Sequence, residues 1–149
     1  MGRYWARRAR RPEALVDPGY QNFYVYSAVS PKSGAAFSLF LPWVNTEAMN
    51  VYLEHLAAAY PDKKILMIWD GAGWHGSNGL RVPSTICCEP LPPYSPELNP
   101  VERLWQWLRR HVTRNRVFDS EEALMDSLAA TLRGLDSGFL TSLCACGYL

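Results

Sequence analysis

No run of residues in this chain approaches the roughly 18 uninterrupted apolar positions of a membrane span, and the arginine-bearing start has no apolar core of the kind a secretory leader needs. No membrane-spanning helix is expected from these residues, and a cytoplasmic location is expected. Cysteine is scarce and poorly spaced for metal: Cys87, Cys88, Cys144 and Cys146 are adjacent or one residue apart, which fits neither the C-x2-C pairs of zinc sites nor a secreted disulfide framework. They read as reduced structural thiols. His55 and His111 have no metal-ligand spacing, and the chain has no internal repeat, low-complexity tract or linker. Acidic residues are absent before Glu13 and again between Glu102 and Asp119.

What is present suits a single domain over 1–149, since 149 residues with 48% hydrophobic content can bury a sizeable core. The net charge of +1 hides an uneven distribution. Arg3, Arg7, Arg8, Arg10 and Arg11 crowd a basic start at 1–12, and Arg103, Arg109, Arg110, Arg114 and Arg116 fill the second acid-free stretch. Two basic patches on a near-neutral chain point to a polyanion partner, although solvated basic faces look the same in sequence.

Two aromatic and apolar runs flank the turn-rich Ser30-Pro-Lys-Ser-Gly34, which predicts a β-hairpin over 22–41. Asn45 or Thr46 can cap a helix carrying Met49, Tyr52, Leu53, Leu56, Ala57 and Tyr60 and ending at Pro61, so this helix is expected to lie across the sheet. The apolar run Ile65 to Trp69 is too short for a typical helix and predicts a central strand over 65–70, buried on both faces, with a shorter strand at 84–88. Gly71 and Gly73 free the backbone to turn after Asp70. Asn99, Pro100 and Glu102 open a helix over 100–113 whose stripe is Val101, Leu104, Trp105, Leu108 and Val112. Trp107 falls on the opposite face beside Arg103 and Arg110, where it could stack on DNA or meet a protein. A last helix is expected over 120–133, with Asp119 or Ser120 at its cap. Strands alternating with helices in this order describe an α/β fold, a mixed sheet flanked by helices.

Asp70 at the tip of a strand and Glu102 in the first turn of a helix can converge on one divalent cation, the arrangement that metal-dependent phosphodiester chemistry uses. Each acid alone has a plainer explanation, since Asn99-x-x-Glu102 makes a capping box and Asp70 before Gly71 can be a turn residue. His75 could orient a phosphate or a water near Asp70, or be a hydrogen-bonded loop histidine.

The segments Trp69-Asp-Gly-Ala-Gly-Trp-His75 and Leu91-Pro-Pro-Tyr-Ser-Pro-Glu-Leu-Asn-Pro-Val-Glu-Arg-Leu-Trp105 closely resemble the catalytic-domain motifs of mariner-like bacterial insertion-sequence transposases. The similarity runs from about Trp5 to the C-terminus and includes Leu41-Pro-Trp-Val-Asn-Thr46 and Asn115-Arg-Val-Phe-Asp-Ser120. It implies a ribonuclease H-like fold and a DDE-type site in which three acids hold two magnesium or manganese ions, cut the ends of a mobile element and join them to target DNA. By position Asp70 is similar to the second acid and Glu102 to the third, with Asn99 and His75 as supporting residues. Arg103, Arg109, Arg110, Arg114 and Arg116 are the expected DNA contacts.

The first acid of the family has no counterpart here, and Asp17 falls where relatives carry a non-catalytic residue. The strand that bears it in the family would precede Met1 and lie between the hairpin and the Asp70 strand. The resemblance thus implies a catalytic domain truncated at its N-terminus, inactive alone unless another polypeptide supplies the strand and its Asp. The alternative is a non-enzymatic fragment that binds DNA or joins a full-length transposase, in either case associated with the bacterial nucleoid. Two carboxylates offer −2 against the +4 of two divalent ions, so without a third acid the two-metal geometry would be poorly fixed.

Overall fold

A computed structural model describes residues 23–70 and 78–146. The basic start with its five arginines, Glu13 and Asp17, and the turn with Gly71, Gly73 and His75, lie outside the described residues.

The expected hairpin forms from β1 (Tyr24–Val29) and β2 (Ala36–Leu41), antiparallel, with Tyr24 opposite Leu41 and Val29 opposite Ala36. Alternation along the strands sends Tyr26, Ala28, Phe37, Leu39 and Leu41 into one core and Phe23, Val29 and Phe40 into another. Both faces of the hairpin are therefore covered, and on the second face the Ser27 and Ser38 hydroxyls satisfy each other at 2.6 Å. Gly34 closes the turn with a backbone bond of 2.8 Å to Ser30 and a left-handed φ of 67°. A Cβ at this position would fall inside the Ser137 backbone carbonyl, so only glycine lets the turn dock there. Gly34→Ala is expected to cost about 3 kcal/mol or more, read as a lowered thermal midpoint, because backbone strain and a backbone clash add.

Helix α1 (Thr46–Ala59) begins where Asn45 accepts the Ala48 N–H at 2.8 Å, and it buries Met49, Tyr52, Leu53 and Leu56 along one stripe. Strands β3 (Ile65–Trp69) and β4 (Ile86–Pro90) pair in parallel, with Ile65 opposite Ile86 and Trp69 opposite Pro90. β4 starts and ends two residues later than the expected strand. Ile65, Met67, Trp69, Ile86 and Cys88 join the α1 core, so this helix spans both strand pairs.

The expectation that β3 is buried on both faces is corrected. Leu66 is 63% exposed and Ile68 37% exposed, while the alternate residues pack on α1. The cause is topological: among the described residues β1 pairs only with β2 and β3 only with β4, which leaves two separate two-stranded sheets instead of one.

The second core lies under α2 (Val101–Leu108), α3 (Glu121–Gly134) and α4 (Ser137–Leu143). Leu104, Leu108 and Val112 are its buried stripe, as their spacing requires. The expected single helix over 100–113 instead changes at Arg109 into a wider π-helical turn through Thr113, where the Arg109 side chain and the Thr113 hydroxyl bond back to the carbonyls of Trp105 and Arg109. Ser120 caps α3 through the Ala123 N–H at 3.1 Å. Helix α4 was not foreseen, and it corrects the role of Trp107. That ring stacks on His111 at 4.6 Å and meets Phe139 of α4 edge-on at 5.2 Å, so it is packed protein surface and not a free platform. Among the described residues no helix is long and apolar enough to cross a membrane.

Candidate active site

The gap between the two sheets is a cavity of about 650 Å³. Its walls are β1 from Tyr26 onward and β3 from Ile65, and α1 contributes Met49, Tyr52 and Leu56. Asp70 closes one wall at the end of β3, and Asn99, Val101, Glu102 and Trp105 of the α2 entrance line the same space. Thus Asp70, Asn99 and Glu102, selected from separate motifs, border one cavity.

The local backbone explains how each acid is held. A 2.7 Å bond from the Leu91 N–H to the Trp69 carbonyl carries the β3–β4 ladder up to the residue before Asp70. At the other acid, Asn99 keeps an extended backbone, accepts the Val101 N–H on its side chain at 3.3 Å and accepts the Glu102 N–H on its carbonyl at 3.1 Å. Pro100 already has helical angles, so Asn99 acts as the functional cap and the helix boundary shifts by one residue.

The reciprocal half of a capping box is missing. The Asn99 N–H is donated to the Pro96 carbonyl at 3.0 Å, which leaves the Glu102 carboxylate nothing to accept there. Among the described residues that carboxylate makes no hydrogen bond or ion pair, although it is only half exposed on the cavity wall. A partly desolvated carboxylate without a partner is a candidate cation ligand. Oxygen donors of this kind suit magnesium or manganese. Asp70 and Glu102 carry donors of that chemistry, while among the described residues no three His, Cys, Asp or Glu side chains group as a metal site would require.

None of Arg103, Arg109, Arg110, Arg114 and Arg116 lines the cavity, whose basic residues are Lys32, Lys63 and Lys64. Arg103 is exposed yet donates to the Ala145 carbonyl, tying α2 to the end of α4. Arg109 donates to the Trp105 carbonyl at 3.3 Å, and Arg110, Arg114 and Arg116 are exposed along and beyond the π turn. The cysteines carry no disulfide; burial pushes the Cys144 and Cys88 thiols up, away from the reactive thiolate form. What reading the sequence missed is the loop between β4 and α2. Tyr94 there is fully exposed with a left-handed φ of 58°, and a tyrosine flanked by Pro92, Pro93 and Pro96 was the available signal.

Comparison with known proteins follows the same lines. A family model described as a DDE superfamily endonuclease matches residues 1–125. An uncharacterized protein of Sinorhizobium fredii, y4pE/y4sA, is 39% identical over 108 residues, which cover 72% of this chain and 80% of that protein. The crystal structure of the Mos1 strand transfer complex shares the fold, with a TM-score of 0.68 at 20% identity over 96% of this chain. The chain spans 45% of the length of that Mos1 chain. The expectation of a ribonuclease H-like α/β architecture is borne out.

Proposed function

Because the chain belongs to the DDE superfamily endonuclease family, we propose that it is a transposase catalytic-domain protein whose Asp70 and Glu102 serve divalent-metal-dependent cleavage and transfer of DNA strands. The observation that carries this reading is the shared cavity: two acids from distant motifs border one space, and one of them, Glu102, has no side-chain partner among the described residues.

Magnesium or manganese held there would polarise a phosphodiester and activate the attacking hydroxyl. The chain's own contribution is to fix the two ligands. β3 holds Asp70 at a strand end, and the Asn99 cap with Pro100 holds Glu102 in the first turn of α2. His75 and Asn99 are the supporting residues of the site. Arg109, Arg110, Arg114 and Arg116 bind the phosphate backbone without reading sequence, and Arg103 adds charge beside them while anchored to α4. The DNA partners are element ends and target.

The slot between β1 and β3 supports the second part of the reading. A strand inserted there would bond to both free edges, bury its alternate side chains against Met49, Tyr52 and Leu56, and bring a further carboxylate toward Asp70 and Glu102. In this reading a strand carrying the further acid, supplied as a separate polypeptide, activates the site. Calorimetry of the full chain with manganese tests the proposal. Weak binding that Asp70→Asn removes, and that tightens when an Asp-bearing strand peptide is added, is the expected result. A flat titration with and without the peptide would instead leave a non-enzymatic protein that binds DNA or a full-length transposase.

A further inference from the structure

The loop from Leu91 to Asn99 is stiff, anchored at both ends and uncovered at its apex. Its first residue bonds to the Trp69 carbonyl, next to Asp70, and its last segment is closed by bonds from Leu98 to Ser95 and from Asn99 to Pro96. Pro92, Pro93 and Pro96 restrict the backbone between these anchors, and the Ser95 hydroxyl bonds to the Pro93 carbonyl at 3.3 Å. Leu91, Leu98 and Asn99 line the carboxylate cavity, so the loop frames its mouth.

At the apex Tyr94 is fully exposed and holds a left-handed backbone. Tyrosine gains nothing from that conformation, unlike the asparagine at position 115, whose φ of 55° is common for its residue type. The ring makes no packing contribution to either core. Strain of this sort, on a rigid support beside a reactive centre, favours a ligand-contacting role over a folding role. The loop contains Glu97 and no basic residue, so phosphate attraction is not what it offers. A flat aromatic face is what it offers, and a nucleobase outside the duplex stack is the DNA component with a matching free face.

We propose that Tyr94 is a stacking platform for an unpaired nucleobase of the DNA strand whose phosphodiester lies at the Asp70 and Glu102 cavity. This rests on the nucleic-acid reading above and adds the requirement for a frayed or overhanging end. Paired interior bases are stacked on both sides and leave no face for the ring, so blunt duplex is bound through the arginines alone.

The experiment uses the full chain with a duplex carrying a short 3′ overhang that contains 5-iodouracil, irradiated at long wavelength and mapped by mass spectrometry, with fluorescence anisotropy on the same DNA. The expected result is an adduct at Tyr94, retained at residue 94 in Tyr94→Phe and lost in Tyr94→Ala. Affinity for the overhang should fall about tenfold in Tyr94→Ala while affinity for blunt duplex is unchanged, the effect of one lost base-stacking contact. Tyr94→Gly should melt no lower than the parent, since it relaxes the backbone, and still lose the adduct. An adduct elsewhere, or equal overhang affinity in Tyr94→Ala, overturns the platform while DNA binding stands. No anisotropy change for the parent with either DNA overturns the nucleic-acid reading and the platform with it.

Discussion

Leu104→Ala is expected to cost about 3–5 kcal/mol, at the upper end of leucine truncations, and to lower the thermal midpoint by about 10 °C or more. Leu104 is 0% exposed and lies at the centre of the second core, among Leu108, Val112, Leu128, Leu140 and Cys144. Neighbours from α2, the π turn, α3 and α4 meet there, and each is fixed by its own helix, so the space left by the removed atoms cannot close cheaply. Leu66→Ala is the matched control. Its side chain is 63% exposed, and the same chemical change should cost less than about 1 kcal/mol. Equilibrium denaturation of the two variants separates the cases, and similar losses would mean that the exposed face of β3 is covered in solution. The effect reaches the site as well, because Leu104 is two residues from Glu102 on the same short helix. A loosened α2 should weaken manganese binding in Leu104→Ala even though no ligand is touched.

The parts of this molecule that could be read from sequence are those where local chemistry decides. Asn45 and Ser120, each one of two candidate caps, cap their helices, and Tyr26, Phe37 and Leu39 alternate inward because a strand has a period of two. Asp70 and Glu102 stood out for a different reason: they sit in extended motifs, and both border the cavity between the sheets. What could not be read depends on partners distant in the chain. An apolar run such as Ile65 to Trp69 looks the same whether its second face meets protein or a gap, so the exposure of Leu66 and Ile68 had no local signature. Trp107 looked free because helix α4, which supplies Phe139 against it, is only seven residues long and too short to show a periodic pattern. The π turn at Arg109–Thr113 was likewise invisible, since Leu108 and Val112 keep an i, i+4 spacing in either helix type.

In the presence of an Asp-bearing strand peptide and manganese, Asp70→Asn and Glu102→Gln should each lower the rate of nicking of a terminal-repeat DNA on the order of a thousandfold, equivalent to about 4 kcal/mol of transition-state stabilisation. Each substitution keeps the side-chain volume and removes one negative charge from a site that has only two from these ligands. The two should differ in what else they change. Glu102 makes no hydrogen bond or ion pair among the described residues, so Glu102→Gln should leave the thermal midpoint within about 0.5 kcal/mol of the parent in stability terms. Its loss of rate is then a loss of ligation and not of folding. If Asp70 and Glu102 share one ion as proposed, the double variant should be no slower than either single one beyond the background, because two ligands of one ion act as a unit. Gel analysis of single-turnover nicking decides this. Rates that fall independently and multiply would mean that Asp70 and Glu102 act in separate steps, and nicking by the parent without the peptide would mean that the slot between β1 and β3 needs no strand from another polypeptide.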